Sequence, residues 1–181
     1  MNGHERQRES SKRMIEDALF ELMKEKNYEK ITVSELVKRA DVARRTFYRL
    51  YNRKEDILEA YFMRLYQEYK DGHGILQNYD VRQIAREYFS FWYQHRDVLL
   101  LLHQSGLDSL LLYYIMGYGA ADIVKERIMD EQLRCVKDME YFAAYSMGGF
   151  GNLLYQWISK GMKGNPEQYA EDVSDVIVKF L

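Results

Sequence analysis

Apolar residues recur along this chain at helical rather than strand spacing. Between Ser10 and Lys26, Met14, Ile15, Ala18, Leu19, Leu22 and Met23 fall in pairs four apart, which is one stripe of an amphipathic helix. Asn27 follows the last of them, where a left-handed residue would close the helix. Thr32-Val33-Ser34-Glu35 has the form of a capping box, so a second helix starts there and buries Leu36, Val37 and Ala40. It stops at Asp41, a residue that tolerates the left-handed backbone of a tight turn, with Val42 plugging the turn. Residues 43–51 predict a third helix with Phe47, Leu50 and Tyr51 gathered on one side. Asn52-Arg53-Lys54-Glu55 repeats the capping pattern and opens a long helix whose apolar residues Ile57, Leu58, Tyr61, Phe62, Leu65, Tyr66 and Tyr69 run to Gly72-His73-Gly74.

Five further helices are predicted over 81–94, 97–105, 108–130, 138–160 and 166–180. The last is the most clearly marked: Asn165 caps it, Pro166 takes the first helical position, and Gln168 completes a box. Its stripe is Tyr169, Val173, Val176, Ile177 and Phe180. That stripe must be buried, in the domain's own core or against a partner subunit. A single proline and the scarcity of alternating β-branched runs leave strands without a signal. The expected fold is therefore all-α. A three-helix unit over residues 1–55 precedes a helical bundle over residues 56–181, about nine helices in all. The fourth helix joins the two and is a candidate lever between them.

Composition narrows the class. Apolar residues make up 47% and charged residues 30%, enough for a buried core under a charged surface. The single cysteine, Cys135, cannot form an internal disulfide and has no Cys or His companion at ligand spacing, which fits a reducing cytoplasm. The N-terminus is charged from residue 4 onward and lacks the apolar region of a signal peptide. The greasiest stretch, Val98 to Met116, is interrupted by His103, Gln104, Ser105, Gly106 and Asp108, so buried helices explain it better than a membrane span. His4, His73, His95 and His103 make no His-x3-His pair, and no nucleophile elbow appears. A cytoplasmic protein without metal, cofactor or enzymatic activity is expected.

Charge changes the picture most. Residues 1–60 hold 14 Lys/Arg against 12 Asp/Glu, and the remainder holds 12 against 16. Within the first part, Lys38, Arg39, Arg44, Arg45, Arg49, Arg53 and Lys54 face a single acid, Asp41. Such a surplus predicts a polyanionic partner. On the third helix, the side opposite Phe47 turns Arg45 and Arg49 outward, flanked by Thr46 and Tyr48, with Arg44 in the exposed first turn. Two short helices, a tight turn and such a face match a helix-turn-helix whose second helix enters the major groove of DNA.

Ile31-Thr32-Val33, Ala40-Asp41-Val42-Ala43, Thr46-Phe47-Tyr48 and Tyr51-Asn52-Arg53-Lys54-Glu55-Asp56-Ile57 together resemble the TetR family of transcriptional regulators, over about residues 10–60. The rest of the chain is similar to it in helix count and in the Gly148-Gly149, Trp157, Gly161 and Pro166 pattern. The resemblance implies that Thr32, Tyr48 and Lys54 touch phosphates and that Arg44, Arg45 and Thr46 lie against base edges; Arg49, turned outward by the helix spacing, completes the candidate DNA face. Where the family often carries a small residue and a His, this chain carries Arg45 and Leu50, so the operator of a relative does not transfer.

The resemblance also implies a second domain that binds a small molecule and forms a homodimer through the last two helices. Candidate ligand residues are Tyr88, Trp92, His95, His103, Tyr113, Met116 and Tyr145, each of which could instead only fill the core. Gly148, Gly149 and Gly151 would let another helix approach closely, or would kink their own. The expected function is a ligand-responsive regulator, in the family's usual mode a repressor, binding a palindromic operator as a dimer. An activator of the same type, and a helical protein-interaction adaptor without sequence-specific DNA binding, stay open as alternatives.

Overall fold

The apolar stripe of the N-terminal segment does form a helix, α1 (Gly3–Glu25), and it begins ahead of that stripe. Residues 3–10 are exposed and carry no core residue, yet helix propagates through them once nucleated downstream. The Ser11 hydroxyl donating to the Gln7 carbonyl and an ion pair of Lys12 with Glu9 support that extension. The expected closure at Asn27 is corrected: its φ of −56° and ψ of 132° are extended, not left-handed. The Asn27 side chain instead accepts from the Glu29 N–H at 2.8 Å, capping a short 3-10 turn over Tyr28–Lys30.

In the computed structural model, which describes residues 3–73, 80–117 and 139–180, the described residues form nine α-helices and no strand. After α1 come α2 (Val33–Arg39), α3 (Arg44–Leu50), α4 (Glu55–His73), α5 (Val81–Gln94), α6 (Arg96–Gln104), α7 over residues 108–117, α8 (Met139–Ser159) and α9 (Pro166–Phe180). The expected helix over 108–130 is observed as far as 117. Its remainder, with Gly74, Cys135 and Asp138, lies outside the described residues.

The chain divides into two compact units, Met1–Arg64 and Leu65–Leu181, and the division falls inside α4. The expected boundary at residue 55 corresponds to the first residue of that helix. In the first unit Ile15, Leu19, Leu36, Phe47, Ile57 and Leu58 are fully buried. In the second the core holds Phe89, Leu99, Leu102, Leu111, Leu154, Ile158 and Ala170. Here α5 packs along α9, and Tyr93, Trp157 and Tyr169 stack in a column with centroid spacings of 5.4 and 4.4 Å. The Arg96 guanidinium lies over the Tyr93 ring at 4.7 Å. Gly151 is a close-approach position, since a Cβ there would stand 2.7 Å from the Met116 side chain.

Two further capping expectations are corrected. At α4 it is Asp56 that reaches back, accepting from the Asn52 and Arg53 N–H groups at 2.8 and 3.2 Å, so no Asn52–Glu55 box forms. At α9 Asn165 caps as expected, accepting from the Glu167 N–H at 2.8 Å, but Gln168 turns forward and donates to Asp172. No helix among the described residues is long and apolar enough to cross a membrane.

Candidate nucleic-acid interface

The turn between α2 and α3 is built by one aspartate. Asp41 adopts φ 51°, its N–H donates to the Lys38 carbonyl at 3.4 Å, and the Val42 N–H donates to the Val37 carbonyl at 3.0 Å. These are the two bonds of a Schellman closure, with aspartate at the left-handed position where glycine is usual. Ahead of it Thr32 and Glu35 form a complete capping box: the Glu35 N–H donates to Thr32 Oγ1, while Glu35 Oε2 accepts from the Thr32 N–H and hydroxyl at 3.0 and 2.8 Å. The other carboxylate oxygen takes Lys26 as an ion pair. Lys26 first, and then the Thr32 donors, hold the Glu35 carboxyl down to about 2.

From that frame α3 projects. Phe47 is fully buried and meets Tyr48 edge-on at 5.3 Å and Tyr51 at 5.9 Å, which fixes the roll of the helix. The structure places Arg44, Arg45, Tyr48 and Arg49 together on the exposed side, with Thr46 half-buried beside them. Tyr48 is 49% exposed although aromatic. Arg44 Nη1 donates to Ser34 Oγ at 2.6 Å, its Nη2 donates to Tyr48 Oη at 3.3 Å, and its guanidinium lies 5.6 Å from the Tyr48 ring centre. Arg45, Arg49 and Lys38 are exposed and meet no partner among the described residues.

The rest of the basic cluster is engaged. Arg39 makes a two-pronged ion pair with Glu25, both bonds at 2.8 Å, and Arg53 pairs with Asp56 at 3.1 Å. Lys54 Nζ donates to the carbonyls of Tyr28, Glu29 and Ile31 at 2.8, 3.2 and 3.3 Å and sits 4.4 Å above the Tyr28 ring. The lysine expected at a phosphate thus ties the 3-10 turn to the start of α4. Arg64 pairs with Glu16, which burial pushes up from the usual carboxylate range, and burial also moves the Tyr51 phenol up to about 12. Ser34, Glu25 and Glu16 carried no signal in the sequence, because their partners lie ten or more residues away.

In the second unit the seven candidate ligand residues do not converge. Tyr88 and Trp92 are buried in a cluster with Tyr69, Phe91 and Phe150. The Tyr88 hydroxyl meets no hydrogen-bond partner there, and burial pushes its phenol far up; the Trp92 indole, one turn along, tempers that shift but lies outside hydrogen-bonding geometry. His95 stands at the α5–α6 junction against Phe91, with ring centres 4.9 Å apart. His103 Nδ1 lies 2.5 Å from Asp108, and Met116 packs at Gly151. Tyr113 and Tyr145 are surface residues, 69% and 72% exposed. Among the described residues no group of three or more His, Cys, Asp or Glu side chains could hold a metal.

Two short helices joined at Asp41, a buried Phe47 anchor and an outward Arg/Tyr face define a helix-turn-helix DNA-binding module. Residues 15–61 match the family model described as bacterial regulatory proteins, tetR family, and residues 79–179 match one described as transcriptional regulator C-terminal region. The chain belongs to the TetR family, and its first unit is the helix-turn-helix domain of a transcriptional regulator. Comparison with curated proteins finds no match.

Proposed function

We propose that the protein is a ligand-responsive transcriptional repressor that binds a palindromic operator as a homodimer. The observation that carries this reading is the outward face of α3, where Arg45 and Arg49, unpartnered among the described residues, stand beside Arg44 and Tyr48. Arginine donates in pairs to guanine O6 and N7, and hydroxyls meet phosphate oxygens that set position without specifying sequence. Arg44, Arg45 and Thr46 are assigned to base edges, Thr32, Tyr48 and Arg49 to the backbone, and Lys54 to holding the turn that presents them.

Dimerisation through α8 and α9 is supported by an uncharged exposed stripe. Tyr141, Ala144, Tyr145, Gly149, Asn152 and Gln156 recur at helical spacing on α8, and a helix face meant for water ordinarily carries charge. Val176 and Val178 are exposed on α9. Ligand response is supported by the aromatic cluster around Tyr88 and Trp92, where the buried Tyr88 hydroxyl, unpartnered among the described residues, is left for a polar atom of an otherwise apolar guest. Fluorescence anisotropy on a duplex that the protein selects from a random pool tests the DNA reading. Arg44→Ala and Tyr48→Ala are expected to weaken binding, on the order of 1–3 kcal/mol for a base contact. Wild-type affinity in both variants would mean that α3 is not the reading element.

A further inference from the structure

Three arginines share the exposed face of α3, and one differs from the others. Arg45 and Arg49 project without partners among the described residues, whereas Arg44 is held from two sides, by Ser34 of α2 and by Tyr48 one turn along α3. The geometry points to Ser34 as a positioning residue for sequence readout: its hydroxyl presets the Arg44 guanidinium for a base edge. This rests on the DNA-binding reading above and goes beyond it, since Ser34 is not among the residues assigned there to DNA contact.

The chemistry allows both jobs at once. A guanidinium has five N–H donors in a planar fork, and the two contacts here use one donor on each Nη. One donor on each Nη remains, with Nε besides, which is enough for the paired bonds that guanine accepts. A free arginine loses much rotamer freedom when it docks, and a tethered one has lost part of it already. Ser34 is free for this task because Thr32 and Glu35 perform the capping of α2. The hydroxyl therefore contributes, through Arg44, to discrimination between sequences, whereas Arg49, untethered and assigned to the backbone, contributes to attraction that any duplex supplies.

The test measures binding of wild type, Ser34→Ala, Ser34→Thr, Arg44→Ala and the double variant Ser34→Ala/Arg44→Ala to two duplexes, the sequence selected by the wild type and a scrambled one. Ser34→Ala is expected to lose about threefold to tenfold on the selected duplex and nothing on the scrambled one. Ser34→Thr keeps the hydroxyl and restores binding, and in the Arg44→Ala background the serine change has no further effect. Equal losses on both duplexes, a loss that persists without Arg44, unchanged binding, or tighter binding by Ser34→Ala would overturn the proposal; the last would make the contact a restraint that DNA must break. A wild type that does not distinguish the two duplexes would instead overturn the DNA-binding reading itself. Thermal melting of Ser34→Ala, expected to match wild type, separates readout from folding.

Discussion

Replacing Lys54 by methionine keeps the stem over Tyr28 and removes the ammonium that three backbone carbonyls share. The 2.8 Å bond to the Tyr28 carbonyl is the strong one, and the two longer bonds and the ring contact add to it. A charged hydrogen bond contributes about 1.5–3 kcal/mol and an exposed cation–π contact about 0.5–1, and Lys54 is only half-buried, so a loss of ~2 kcal/mol is expected. Both tryptophans, Trp92 and Trp157, lie in the second unit and would not report it. Amide hydrogen exchange in α1, α2 and α3 reports it directly, and ~2 kcal/mol corresponds to roughly 30-fold faster exchange of the most protected amides. On DNA, Lys54→Met should leave the salt dependence of binding as it was, because the ammonium is engaged within the protein. Protection within about twofold of wild type, or a salt slope reduced by about one, would refute the assignment and return Lys54 to the phosphate backbone.

Thr32→Ala removes one half of the α2 capping box and should cost about 1 kcal/mol in urea melts. The Glu35 carboxyl is depressed in the folded state, so its contribution is complete above the unfolded value near 4.5 and is lost as pH falls through about 2. The stability difference between wild type and Glu35→Gln should accordingly be present at pH 6 and gone by pH 2; a difference that grew on acidification would reverse the sign. Asp41→Gly should be tolerated within a few tenths of a kcal/mol, whereas Asp41→Val, β-branched at φ 51°, should cost about 1–2 kcal/mol in the same melts.

Much of this was legible where a local pattern decides the structure. α5 and α9 begin and end at the predicted residues because strong apolar stripes follow local caps, Asp80 and Asn165. The left-handed turn at Asp41 followed from residue type alone. Misses arose where neighbouring groups compete for one role. Glu55 and Asp56 are adjacent acids, and only backbone geometry decides that Asp56 reaches the Asn52 N–H while Glu55 takes the Tyr28 hydroxyl at 3.4 Å. Residues 3–10 lack any apolar mark, so their helix was invisible to periodicity. Within the candidate site, the outward side of α3 could be read from its 100° spacing. The tethers of Arg44, Arg39 and Lys54 could not, because each joins segments between 10 and 26 residues apart that only the fold brings together. The aromatic candidates of the second unit separate for the same reason: composition marks Tyr88 and Tyr145 alike, and packing buries one and leaves the other on an uncharged face.

Selection of the full-length protein against a random DNA pool, followed by sedimentation of the complex on the selected duplex, tests the central claim most directly. The account predicts an inverted repeat whose half-sites lie a whole number of helical turns apart, about 10 base pairs per turn, bound by paired copies of the chain. It also predicts that Arg44→Ala fails to enrich the same sequence. A pool with no enriched sequence, or the same repeat enriched equally by Arg44→Ala, would contradict it.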